Sequence, residues 1–167
     1  MNRHVLSVLV TNHSGVLSRV AGLFSRRGYN IDSLSVGVTE NPEFSRMTIV
    51  ARGNDLIIDQ ITKQLNKLVD VIHIIELKPE ESVYRELALI KISAKDESRA
   101  AIIEIAGIFR ANIIDVSSET LTVEITGDQN KVKAFLDLVE PYGVKEIVRT
   151  GLTALERGSK EIKQYID

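Results

Sequence analysis

A chain of 167 residues, 44% of them hydrophobic, has room for one medium core or for two small ones of about 80 residues each. Its formal charge of −2, from 21 basic against 23 acidic residues, gives no electrostatic pull toward nucleic acid or an anionic membrane surface. The lack of cysteine excludes disulfides, thiolate nucleophiles and Cys-based metal sites. No apolar run approaches the roughly 20 residues needed to span a bilayer, so the sequence reads as a soluble cytoplasmic protein.

Met1-Asn2-Arg3 runs straight into His4 to Thr11 (HVLSVLVT), whose β-branched and aliphatic residues suit a buried central strand. A polar turn ends in Ser14-Gly15, and Val16, Leu17, Val20, Leu23 and Phe24 follow at helical spacing. Ser14 is placed to cap this helix, while Gly15 leaves no side chain over the unpaired amides behind it, so the turn suits a small anion such as a carboxylate. Arg26 and Arg27 favour the helix C-terminus and Gly28 stops it. A second strand runs from Ile31 to Val38, the Asn41-Pro42 turn comes next, and a third strand covers Arg46 to Arg52. Asn54 or Asp55 caps a helix with apolar Ile57, Ile61, Leu65 and Leu68, and Val71 to Leu77 closes as a strand. The order is βαββαβ, the split unit of a ferredoxin-like sandwich.

Lys78-Pro79-Glu80-Glu81-Ser82 is a polar break, and the second half of the chain repeats the pattern of the first. Glu86 to Ala94 reads as a strand, Ile102, Ile105, Ala106 and Phe109 as a helical stripe, and Ile113 to Val116 as a strand. Leu121, Val123 and Ile125 alternate as the next strand, Val132, Phe135, Leu136 and Val139 form a second helical stripe, and Val144 to Arg149 completes another βαββαβ. Ala21-Gly22-Leu23-Phe24 returns as Ala106-Gly107-Ile108-Phe109, each followed by Asn, Ile and Asp entering a strand. The fold class is therefore α+β, two ferredoxin-like sandwiches in tandem. Residues 1–78 make the first domain, 79–82 the linker, 83–150 the second, and 151–167 a charged tail that reads as a short helix with a frayed end.

The halves differ at the first helix of each. Asn12-His13-Ser14-Gly15 opens one, whereas Asp96-Glu97-Ser98-Arg99 opens the other with two carboxylates and no glycine, which would repel a ligand carboxylate. Anion binding at a helix end thus belongs to the first half. His4, His13 and His73 have no metal-ligand spacing, and no Gly-rich phosphate loop, metal cluster or Gly-x-Ser-x-Gly elbow appears.

The run NHSGVLSRVAGLFSRRGYNIDSL, the segment SRMTIV at Ser45 to Val50, QLNKLVDVIHI at Gln64 to Ile74 and FRANIIDVSSETLTVEITG at Phe109 to Gly127 resemble the small regulatory subunit of acetolactate synthase, or acetohydroxyacid synthase. The first part resembles an ACT domain. The resemblance implies a non-catalytic subunit in branched-chain amino acid biosynthesis. Such a subunit activates a catalytic large subunit and confers feedback inhibition by valine or a related branched-chain amino acid. Thiamine diphosphate, Mg and FAD are expected on the catalytic subunit and none in this chain. It implies homodimers joined through their ACT sheets, with ligand held by Asn12, Gly15, Val16 and Leu17 of one copy and Asn30 and Ile31 of the other.

The residue chemistry agrees with that assignment: amides near Gly15 to Leu17 suit a carboxylate, the Asn12 carbonyl an ammonium, and Leu17 and Ile31 a branched side chain. Taken alone, Asn30 is equally a turn residue after Gly28, and Leu17 and Ile31 equally ordinary core. RNA recognition would use stacking aromatics on the third strand, yet Arg46 to Arg52 carries no ring. The alternative is a free-standing ACT-type amino-acid sensor or ligand-responsive regulator, whose DNA-binding version would need a helix-turn-helix or basic arm not found here.

Overall fold

The structure, a computed structural model, describes residues 2–166. They fall into two compact units: residues up to Val83 together with those from Leu152 onward, and residues Tyr84–Gly151.

In the first unit the elements are β1 (Asn2–Thr11), α1 (Val16–Arg26), β2 (Ile31–Val38), β3 (Phe44–Gly53), α2 (Asp55–Leu65) and β4 (Val71–Leu77). The sheet order is β2-β3-β1-β4, every neighbouring pair antiparallel. This is the ferredoxin-like order, with β1 at the centre and β2 at an edge. Leu6, Val8 and Val10 alternate along β1 and pack against Val20, Leu23 and Phe24 of α1 and Ile58, Ile61 and Leu65 of α2. Helix α1 ends in a Schellman arrangement: Tyr29 N–H donates to Phe24 O (3.0 Å), Gly28 N–H donates to Ser25 O (3.2 Å), and Gly28 adopts φ 70°. Asn54 caps α2, its side-chain oxygen accepting from Ile57 N–H at 2.9 Å.

The second unit holds most of β5 (Ser82–Ser93), then α3 (Asp96–Ile108), β6 (Asn112–Val116), β7 (Thr120–Gly127), α4 (Gln129–Val139) and β8 (Val144–Arg149), with sheet order β6-β7-β5-β8. Ala88, Ile90 and Ile92 of β5 and Leu121, Val123 and Ile125 of β7 meet Ile102, Ala106, Val132 and Phe135 of the helices. The repeated Ala-Gly-Leu/Ile-Phe run therefore reflects a repeated fold. Its copies end differently: α1 runs two residues past Phe24, whereas α3 stops before Phe109, and Arg110 takes the left-handed position (φ 54°) that Gly28 takes in the first.

Two sequence expectations are corrected. The linker is a 3-10 turn over Pro79–Glu81, and Ser82 already belongs to β5. The tail is not a frayed helix: Thr153–Glu156 is a strand, β9, and only Ile162–Tyr165 forms a 3-10 turn, while the last tail position, Asp167, lies outside the described residues. The reason is burial. Residues Val5, Ser7 and Leu9 point away from the two helices yet are buried, so that sheet face is covered too. Leu152 and Ala154 are buried in the same unit, and Leu152 N–H donates to Ser33 Oγ at 2.8 Å. Arg157 N–H donates to Glu81 O at 2.8 Å, and the Tyr165 ring stacks on His73 with centroids 3.7 Å apart.

Candidate functional site

The β1–α1 turn is shaped by glycine. Gly15 is the N-cap of α1, with φ 85°, and no side chain caps the helix, so the capping role read for Ser14 is corrected. The left-handed turn at Gly15 leaves Ser14 exposed before the helix. Val16 N–H reaches His13 O at 3.4 Å, and the first helical bond closes from Arg19 N–H to Gly15 O at 3.0 Å. By helix geometry the amides of Leu17 and Ser18 have no intrahelical acceptor, which makes the tip more open to an anion than a serine cap would.

Asn12 is pinned beside this tip. Its backbone N–H donates to Glu43 O (2.7 Å) and its Nδ2 to Pro42 O (3.0 Å). A carbonyl only accepts, so the amide nitrogen must face Pro42 and Oδ1 is left as the free acceptor. Val16 is buried at 3% exposure and anchors the helix in the core, whereas Leu17, 46% exposed, is the apolar group left outside it.

A network unseen in the sequence braces the same turn. Arg19 places Nε and Nη2 each 2.7 Å from Asp70 Oδ2, and Thr11 Oγ1 donates to Asp70 Oδ1 at 3.1 Å. The Arg19 guanidinium, helped by the Thr11 hydroxyl, holds the Asp70 carboxyl below its ordinary value against partial desolvation. A Cβ on Gly15 would lie 3.0 Å from Arg19 Nη1, so a side chain there would have to shift the guanidinium slightly, while φ is the main demand for glycine. Helical spacing puts Arg19 four residues after Gly15 and could have flagged it; Asp70 lies 51 residues further on and gives no local signal.

Asn30 and Ile31 are elsewhere in the chain's own fold. Ile31 pairs with Ala51, which pairs with His4, so it is level with the start of β1, while Asn12 follows the end of that strand. One chain therefore does not bring the two walls together. Asn30 is exposed and donates its Nδ2 to Asp32 Oδ1 at 3.3 Å; Ile31 is half-buried against the core.

The second unit opens its first helix differently, although that helix too has no side-chain cap. Its α3 carries Asp96 and Glu97 in the first turn, and Arg99 Nη2 donates to the carbonyls of Ala94, Ser117 and Ser118 at 2.6–3.0 Å. Two of the three histidines have other partners: His4 Nδ1 lies 2.6 Å from Glu76 Oε1 and His73 stacks on Tyr165. Among the described residues no three His, Asp or Glu side chains converge as metal ligands, and no helix is long and apolar enough to cross a membrane. Strand β3 begins at Phe44, so its one ring lies just outside the ring-free Arg46 to Arg52. A cavity of about 230 Å³ lies between Arg46, Glu40 and the Glu156 to Lys163 segment, lined by none of the residues named for the ligand.

Comparison with known proteins covers nearly the whole chain. Residues 6–73 match the family described as the AHAS small subunit-like ACT domain, and residues 85–158 match the small subunit of acetolactate synthase. The acetolactate synthase small subunit of Mycobacterium bovis is 56% identical over 159 residues, 95% of each chain. A probable acetolactate synthase small subunit of Methanothermobacter thermautotrophicus is 54% identical over 158 residues, 94% of each. The crystal structure of the Thermotoga maritima small subunit superposes with a TM-score of 0.88 at 45% identity, covering 96% of this chain and 100% of that one. On these matches the chain belongs to the family of acetolactate synthase small subunits.

Proposed function

We propose that this protein is the regulatory subunit of a thiamine-diphosphate-dependent acetolactate synthase. It activates the catalytic large subunit and imposes feedback inhibition by valine or a related branched-chain amino acid. The cofactors, thiamine diphosphate, Mg and FAD, are carried by the large subunit, and this chain contributes no catalytic group. The observation that carries the reading is the glycine-capped tip of α1, with open amides beside an Asn12 oxygen that has no other partner to accept from. Together they match the carboxylate and ammonium of a free amino acid, and Leu17 supplies an exposed apolar contact for its side chain.

The second wall comes from a second copy. Strand β2 is an edge strand with Val36 and Val38 exposed, a surface that favours pairing. Two copies joined along β2 by a two-fold axis run antiparallel. That pairing sets Asn30 and Ile31 of one copy near Val38 of the other, which is level with Ser45 and Val10 at the Asn12 end. Two equivalent sites result, closed by Asn12, Gly15, Val16 and Leu17 on one side and Asn30 and Ile31 on the other. Linkage then requires the large subunit to change valine affinity by the factor with which valine changes its binding.

Isothermal titration of valine tests this. Asn12→Ala removes a hydrogen bond to a charged group, worth roughly 1.5–3 kcal/mol, or about ten- to a hundredfold in affinity. Gly15→Asp adds bulk and like charge at the carboxylate position and abolishes binding. Activation of the large subunit survives both. Unchanged valine affinity in the two variants would remove the site.

A further inference from the structure

We propose that Asp32 is a positioning residue for effector recognition: it fixes the amide of Asn30 so that its oxygen, and not its nitrogen, faces the incoming ammonium group. The inference rests on the effector reading and adds to it a residue and a selectivity.

Asp32 sits where the β2–β3 register shifts, the extra residue between Ile31, opposite Ala51, and Ser33, opposite Val50. Its carboxylate, 12% exposed, takes Arg52 Nε at 2.6 Å and Arg3 Nε at 3.4 Å on Oδ2 and Asn30 Nδ2 at 3.3 Å on Oδ1. Arg3 and Arg52 are direct cross-strand partners, so without Asp32 two like charges would stand side by side. The two guanidinium groups thus hold the Asp32 carboxylate in place. An ionised carboxylate accepts and cannot donate, so only the Nδ2 end of Asn30 can face it.

The orientation of Asn30 is then set, and Oδ1 is its free end. Asn12 is oriented the same way by the Pro42 carbonyl. The two asparagines that would flank the ligand nitrogen therefore both offer acceptors. An ammonium group satisfies them. The 2-oxo acid of the same carbon skeleton brings only another oxygen and is rejected, because the two acceptors would face it without a donor once the ligand covers them.

A double-mutant cycle on the full-length protein tests this, with valine titrated into wild type, Asn30→Ala, Asp32→Asn and the double variant, and thermal midpoints recorded in parallel. At position 32, asparagine can donate as well as accept, so Asn30 is free to flip. Asp32→Asn should weaken valine about tenfold in the wild-type background and less than twofold once Asn30 is alanine. Equal losses in both backgrounds would make Asp32 merely structural. No loss from Asp32→Asn, or none from Asn30→Ala, would also overturn the proposal. If Asp32→Asn fails to fold, Asp32→Glu keeps a charge between the arginines, displaces the carboxylate from Asn30 and completes the same cycle. A wild-type protein that binds no branched-chain amino acid would remove the effector reading itself, a failure visible before any variant is made.

Discussion

Gly15 carries two demands at one position. Its φ of 85° is costly for a residue with a Cβ, and that Cβ would press on Arg19. Gly15→Ala should lower stability by about 1–2 kcal/mol in urea unfolding, as expected for a left-handed residue. Asp70 works at a distance on the same turn. Because Arg19 holds its carboxyl below the ordinary value of 3.8, the unfolded chain binds the proton more readily. That contribution is complete above the unfolded value and fades as pH falls through the folded one. Asp70→Asn should therefore flatten the loss of thermal stability below about pH 4, and an unchanged acid limb would show that the ion pair does not matter. Glycine, asparagine and the helix period are legible from the sequence at this scale. The Arg19–Asp70–Thr11 brace and the Asp32 clamp are not, since their partners meet only after β1, β3 and β4 have paired.

Individual elements are largely legible where one period dominates. Strands β2, β4 and β8 begin and end where alternation and turn residues place them, because Gly28-Tyr29-Asn30, Val69-Asp70 and Gly143 punctuate them clearly. The C-terminal segment is not legible in this way, since the polar run Glu156 to Lys160 hides the two apolar side chains, Leu152 and Ala154, that it buries. Its docking has a pH signature. Burial under the Tyr165 ring pushes the His73 imidazole below its ordinary value of 6.5, with the Glu156 carboxylate partly offsetting this. The folded state therefore prefers neutral His73, so this stability is present above about pH 6.5 and declines as pH falls through the folded value. His73→Phe keeps the ring stack and should remove that part of the pH dependence of the thermal midpoint. A midpoint with the same slope in both proteins would contradict the assignment. Deleting residues 152–167 should lower the midpoint of the first unit by exposing Val5, Leu9 and their neighbours to water.

At the scale of the whole molecule, one sandwich has been used twice with different helix openings. Neither opening helix has a side-chain cap, but the first starts from Gly15 with no acidic residue in its first turn, whereas the second carries Asp96 and Glu97 there and ties Arg99 to three carbonyls. That difference is visible in the sequence. The separation of Asn30 from Asn12, which motivates the proposed second copy, is visible only in the register of β2, which puts them at opposite ends of the sheet. The proposed pairing through β2 would make mass concentration-dependent, so sedimentation should report a dimer that a Val36→Lys, Val38→Lys variant loses together with valine binding. A variant that stays dimeric would move the interface away from β2. The most direct measurement is a crystal structure of the protein grown with valine. The account predicts valine at the tip of α1, its carboxylate on the amides near Leu17 and its ammonium between Asn12 of one copy and Asn30 of the next. A tip facing solvent, or valine bound only in the second unit, would contradict it.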